Sequence, residues 1–430
     1  MATLNTPPHA QLSNGMSNTA ASTVLVAKTT SQVEAWRQWW ATMPLTNVDA
    51  DIDYFLSVVA HDPAVVAPYV LRVEAAGQAP VLVVGRLVDE RFRARLPGVR
   101  IVSLRARALV ISFDGVVGAT TREQRLAVTA AITDALTSGD ADVVTFQKLD
   151  HASAWFAHLT SGATEDLRRR GGRPRHVVRP VETSWICDLP DSWEAWLGSR
   201  SAKSRRQMRY DDNRLRRTYG DRLELRRLHE PEESGRLMTD VRSVAEESYQ
   251  RGLGVSVVDG PVPHALLSLA RDKGWLRVWM LYIDDEPVAF WWGQVQAGVL
   301  AIGAPGFRPE FSKDRVGYYT LRRMLEDSAN DPDIKTIDFG SGDADYKARF
   351  GTHRRTVSDV LLFARRPRSL GVLALLRVQD RAIALAKSML DKGGRAEQVR
   401  RWWRARNSAA AVTPADERDQ SERGAGRPQR

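Results

Sequence analysis

The stretch that decides the fold runs from Ile337 to Gly351 and reads I-D-F-G-S-G-D-A-D-Y-K-A-R-F-G. Ile337 and Phe339 flank Asp338 in an alternating pattern, so residues 334–339 predict a buried strand. Gly340 and Gly342 interrupt it as a turn. Residues 343–350 then predict a short helix, and 357–364 a last strand. Working outward, 316–328 predicts a helix ahead of the deciding stretch. Before it come three strands, 276–283, 288–295 and 299–303, turned at Asp284-Asp285-Glu286 and at Ala297-Gly298. Three helices precede those: a strongly basic one over 201–219, an amphipathic one over 232–249 and one over 263–273 with Pro263 in its first turn. The amphipathic helix places Leu237, Val241, Val244 and Ala245 on one face. Asp191-Ser192-Trp193-Glu194 predicts a further helix start, with Asp191 as cap and Glu194 three residues on. A meander followed by a strand-helix-strand crossover makes a mixed sheet of the α/β class.

The first half echoes that grammar. Strands are expected over 69–74, 80–88, 99–104 and 108–113. A helix follows over 121–136, with Leu126, Ala130, Thr133 and Leu136 on one face, and then a strand over 143–146. Two tandem domains of one design follow from the echo. The expected division is a disordered leader over 1–30, a degenerate domain over 31–180 and a complete domain over 181–366. A helical segment over 367–406 and a disordered tail over 407–430 complete it. The basic run Arg168 to Arg175 reads as the joint between the two domains.

Length and charge bound the function. The 430 residues exceed one ordinary domain. A lone cysteine, Cys187, rules out an intramolecular disulfide. No apolar run is long enough to span a bilayer and no signal peptide is evident, so the expected location is the cytoplasm. The net charge of +10 favours an anionic partner. The histidines lack H-E-x-x-H spacing, and P-loop and G-x-S-x-G motifs are missing, which argues against metal hydrolases, P-loop enzymes and serine hydrolases. No metal is expected.

The order of elements resembles the GNAT acyltransferase fold, and three stretches sharpen the likeness. Trp193 to Leu215 is similar to the basic helix of FemAB-type and CelD-like (cellulose-biosynthesis-associated) members. Gly274 to Ala289 is similar to their central hairpin, with its acidic turn and P-V-A. Ile337 to Gly351 resembles their D-F-x-x-G-x-x-x-Y-K-x-x-F/W-G signature. The good match covers about 185–365. The first half resembles the partner domain of the FemAB architecture by element order alone.

The resemblance implies acyl transfer from a thioester, with acetyl-CoA or another acyl-CoA as co-substrate. The donor pyrophosphate would sit at the start of the helix after the meander, where unpaired N–H groups and the helix dipole favour an anion. That place is Arg315-Val316-Gly317-Tyr318. The family pattern Q/R-x-x-G-x-G/A is shortened here to Arg315-x-Gly317, followed by Tyr318 and Tyr319. FemAB-type enzymes share a weakened loop and use aminoacyl-tRNA, which is the alternative donor. Tyr346 is the candidate acid for the departing thiolate, since a phenol near pKa ~10 and a thiol near ~8.5 exchange a proton easily. Lys347 is the candidate for the oxyanion or a phosphate. On the residues alone, Tyr346 packing in the core with Lys347 paired to Asp343 stays open. Asp338 either pairs with a buried cation or faces the cleft. Glu247 is the candidate base, beside a Tyr249-Gln250-Arg251-Gly252 variant of the CelD-like W-K-G.

Two further surfaces stand out. Residues 200–227 hold eleven Lys or Arg, so a helix there is exposed or binds a polyanion. Residues 369–406 read as an amphipathic helix leading to Arg400-Arg401-Trp402-Trp403-Arg404, which either packs on the catalytic domain or touches a membrane. Three functions compete. The first is an acyltransferase acting on an amine or hydroxyl of a small-molecule, sugar or peptide precursor, in polysaccharide or cell-envelope synthesis. The others are an aminoacyl-tRNA-dependent transferase and a non-catalytic basic scaffold for nucleic acid or acidic membrane.

Overall fold

The computed structural model describes residues 22–75, 77–94, 102–162, 175–228, 234–248, 260–342 and 344–392. Its strands are β1 (Ser22–Ala27), β2 (Val65–Pro68), β3 (Val70–Ala75), β4 (Val81–Ala94), β5 (Val102–Val117), β6 (Val143–Asp150) and β7 (Arg175–Asp188). The second half adds β8 (Leu223–Leu228), β9 (Leu276–Ile283), β10 (Glu286–Gln296), β11 (Val299–Ile302), β12 (Gly306–Phe307), β13 (Thr336–Ser341) and β14 (His353–Phe363). All join one sheet in the order β1-β3-β4-β5-β6-β14-β7-β13-β11-β10-β9-β8, with β2 on β4 and β12 on β10. It is a mixed sheet: β5 runs parallel to β6 and β11 parallel to β13, and the other pairs are antiparallel.

The two halves mirror each other about the β14–β7 pair. Each contains a meander, a crossover helix and a strand parallel to the meander's last member. The crossover helices are α4 (Arg122–Ser138) between β5 and β6, and α10 (Val316–Asn330) between β11 and β13. The remaining helices are α1 (Thr30–Glu34), α2 (Arg37–Trp40), α3 (Ile52–His61), α5 (Ala154–Ala157), α6 (Trp193–Gly198), α7 (Ala202–Tyr219), α8 (Ser234–Glu247), α9 (Pro261–Asp272), α11 (Asp345–Phe350) and α12 (Pro367–Lys392). Strand alternation assigns the faces. On one face of β9 and β10, Trp279 and Trp291 meet α6 and α10 through Trp196, Leu321 and Met324. On the other, Met280, Tyr282 and Phe290 meet α8 and α9 through Val241, Val244 and Leu267.

Several expectations change. Part of the expected leader, Ser22–Ala27, is a strand paired with β3. The domain boundary expected between 180 and 181 falls inside β7, which pairs with β14 from Arg175 to Ile186 and with β13 from Ser184 to Asp188. The halves therefore share one continuous sheet, because backbone groups on both sides of β7 need partners. Most of the basic run 168–175 lies outside the described residues. On α4 the inward face is Val128, Ile132, Ala135 and Leu136 rather than Leu126, Ala130 and Thr133. Ser192, not Asp191, caps α6 by accepting from the Ala195 N–H. The helix after Ser369 packs Val372, Leu373 and Leu376 against Phe92, Leu361 and Phe363. The expected Arg400 to Arg404 motif lies outside the described residues.

The basic helix needs the largest revision. One side of α7 buries Met208, Asp211 and Leu215. Its acidic residues turn inward onto α10. Asp212 accepts from Arg322 Nε at 2.9 Å and from Arg323 at 2.8 Å, with Arg322 only 2% exposed. Asp211 takes Arg315 at 3.2 Å. A helix polar on nearly every side thus docks through ion pairs, and its basic residues are left outside.

Candidate active site

The site lies where two parallel strands part. β11 and β13 pair from Val299↔Thr336 to Ala301↔Asp338 and no further. Beyond that point the chain follows β10 through Gly303–Pro305 into β12, with Phe307 opposite Ala289. β13 instead shifts register against β7 and reaches Ser341 opposite Ser184. The gap opens at the carboxyl ends of both strands, the place where ligands favour open α/β sheets.

The start of α10 stands at this gap. Arg315 adopts a left-handed conformation with φ 58°, uncommon for a side chain of its size. The Tyr318 and Tyr319 N–H groups both donate to the Arg315 carbonyl at 3.0 Å. Among the described residues nothing takes the N–H groups of Val316 and Gly317, which leaves them for a ligand, and no side chain caps the helix. Val316 contributes backbone alone, since its side chain is fully buried against Leu281 and Val288. At Gly317 a Cβ would lie 3.2 Å from the Phe307 ring, so a larger residue would crowd the approach. The Arg315 side chain is half-exposed and leans on Asp211, whose other oxygen takes Gln207 at 2.9 Å. Lys313 beside it is exposed. Two exposed cations, free N–H groups and a helix dipole fit a pyrophosphate.

Tyr346 reaches the same place from α11. Its ring meets Trp291 edge-on at 5.1 Å and Phe339 at 6.0 Å. The Trp291 indole donates to the Gly317 carbonyl at 3.0 Å. Tyr318 lies 6.2 Å from Phe350, at the end of α11. Trp291 thus couples the α10 start to Tyr346. Lys347 points elsewhere: 8% exposed, it donates to the Ser341 and Gly340 carbonyls at 2.7 and 3.2 Å. Its ammonium braces the end of β13. The alternative pairing with Asp343 lies outside the described residues. Asp338 accepts from the Gly340 N–H at 2.7 Å and from Ser184 at 3.5 Å, so it holds the same turn from within. Gly340 has φ +68°, a conformation that disfavours any side chain there.

Glu247 stands apart from this group. It ends α8, on the opposite face of β10 from Trp291, and its half-exposed carboxylate lies 3.5 Å from Arg308. The Tyr249 to Gly252 variant lies outside the described residues. The first half also contributes near the sheet centre. Burial pushes the Asp114 carboxyl up, Arg355 opposes this, and the charges of Asp338 and Asp150 add to it. Sequence reading missed Trp291, Asp211 and Asp114. A tryptophan in a buried-looking strand and an aspartate in a basic helix carry no local signal of such contacts.

Residues 202–348 match the family model described as an acetyltransferase (GNAT) domain. Those residues are a GNAT acetyltransferase domain. FemX has a similar fold, with a TM-score of 0.51 at 9% identity over 78% of this chain and 96% of that one. A tandem GNAT protein from the clavulanic acid biosynthesis pathway gives 0.40 at 11% identity, over 79% of this chain and 98% of its own. The C-terminal domain of a putative lysylphosphatidylglycerol synthetase from Agrobacterium fabrum gives 0.45 at 14%, over 84% and 97%. No curated protein matches the sequence.

The first half contains the counterpart of the GNAT helix start, and it differs in one respect. There Thr121 accepts from the Gln124 N–H while the Gln124 side chain accepts from the Thr121 N–H, a closed capping box. The α4 start is covered by its own capping side chains and carries the acidic Glu123 in its first turn, whereas the α10 start has neither a side-chain cap nor an acidic residue there.

Proposed function

We propose that the GNAT domain moves an acetyl or other acyl group from acyl-CoA to an amine or hydroxyl acceptor. The acceptor class is a small-molecule, sugar or peptide precursor, as polysaccharide or cell-envelope synthesis requires in CelD-like members. The observation that carries this reading is the uncapped α10 start, coupled through Trp291 to Tyr346 at the parting of β11 and β13. In this reading Arg315 and the Val316 and Gly317 N–H groups hold the donor phosphates, while the Tyr318 N–H is taken by the Arg315 carbonyl. The acceptor heteroatom attacks the thioester carbonyl and passes its proton to a base. Glu247, on the far face of β10 from Trp291 and paired with Arg308, is out of reach as that base, and solvent takes the proton. As the C–S bond breaks, the thiolate takes the Tyr346 proton. Asp338 and Lys347 hold the Gly340–Ser341 turn beside the reacting carbonyl.

A second reading keeps the site and changes the donor to aminoacyl-tRNA. It is supported by the FemX-like fold and by Arg315 sharing its charge with Asp211. Thermal melting separates the two. A ligand at a hundred times its Kd stabilises the native state by about 2.7 kcal/mol. A clear rise in Tm with millimolar acyl-CoA is expected. A flat response to acyl-CoA beside a rise with aminoacyl-tRNA would select the second donor.

A further inference from the structure

The ion pairs that dock α7 sort its charges by side. Asp211 and Asp212, the helix's only carboxylates, face α10. Lys203, Arg206, Arg209, Arg216 and Arg217 are all exposed. Among the described residues, none of these five has an ion-pair partner. Tyr210 stands among them with 61% of its surface exposed. From Lys203 to Arg217 the cations are 14 helical steps apart, about 21 Å at 1.5 Å per residue. An uncompensated basic strip of this length costs self-repulsion unless an anionic surface answers it.

We propose that the outer face of α7 docks the protein on an anionic phospholipid bilayer. Three observations favour a bilayer over nucleic acid. The face is the convex outer side of a helix whose other side is held to α10 by Asp211 and Asp212, which suits a plane; single-stranded nucleic acid is held in grooves lined with stacking platforms. Tyr210 is the one aromatic on the strip, enough for an interfacial anchor and too few for successive bases. The cations are interleaved with small polar residues such as Asn213 and Thr218, as on the polar side of a surface-bound helix. The docking also has a consequence for chemistry. Arg214 donates to the Lys313 carbonyl and to Asp314 at the α10 start, so a bilayer on α7 lies beside the candidate donor site. An acceptor borne by a lipid would meet the site there.

The test is co-sedimentation of the full chain with vesicles of neutral phospholipid alone and with anionic phospholipid added. The expected result is binding to the anionic vesicles only, released by high salt. The variant Arg206→Glu/Arg209→Glu/Arg217→Glu should lose roughly tenfold or more of that binding with its melting temperature unchanged. If the reversal variant does not fold, Arg206→Gln/Arg217→Gln takes its place with a smaller loss expected. Binding to neutral vesicles, no binding to anionic ones, or a folded variant that binds like wild type would each overturn the proposal. So would loss of binding to a structured RNA in the same variants without any vesicle binding, which would give the face to nucleic acid.

Discussion

Tyr346 and Lys347 are neighbours in the chain with opposite duties. Successive helix residues point about 100° apart, so Tyr346 meets Trp291 while Lys347 turns back onto β13. Tyr346→Phe keeps the ring packing and removes the hydroxyl. Turnover should fall roughly 10²-fold in an acyl-transfer assay while Tm barely moves. Lys347→Met keeps the apolar stem but strips the Gly340 and Ser341 carbonyls of a charged donor. It should lower stability by about 1–3 kcal/mol in denaturant unfolding, with activity lost through a loosened turn. These two residues were legible in the sequence as Y-K after a glycine turn. Their partners were not: Trp291 meets Tyr346, and links it to Gly317, across sequence separations that no local pattern encodes.

At the scale of elements, α7 shows how a polar helix earns a place in the fold. Arg322 is buried with its guanidinium on Asp212, so removing that carboxylate strands a charge in the interior. Asp212→Ala should cost about 3–5 kcal/mol, read as a lowered denaturation midpoint. Lys203→Gln on the outer face should leave stability unchanged within about 0.5 kcal/mol. The meander β9-β10-β11 and the α10–β13 crossover were readable because period-2 runs and acidic turns are local signals. The α4 helix was readable for the same reason, yet its inward face was offset, since apolar residues line more than one side of that helix. The strand at Ser22–Ala27 was hidden by its small size and by flanking polar residues; its partner β3 stabilises it from a distance.

The whole molecule is one sheet carrying two versions of one crossover, and pH acts on it through buried carboxyls. Burial pushes Asp49 up to about 6, with Arg86 opposing and Asp114 adding. A raised carboxyl binds its proton in the folded state over a window where the unfolded chain has lost it. Its favourable contribution is therefore present at low pH and is lost as pH rises through about 6. Asp49→Asn should raise Tm above pH 7 and leave it nearly unchanged near pH 4. The central claim concerns the two crossover helices: one start is capped by its own side chains and the other is open to a donor. Amide hydrogen exchange with and without acetyl-CoA tests it most directly. The account predicts added protection in peptides covering 313–320 and none in those covering 119–126. Protection at 119–126 instead, or no change at 313–320 under saturating acetyl-CoA, would contradict it.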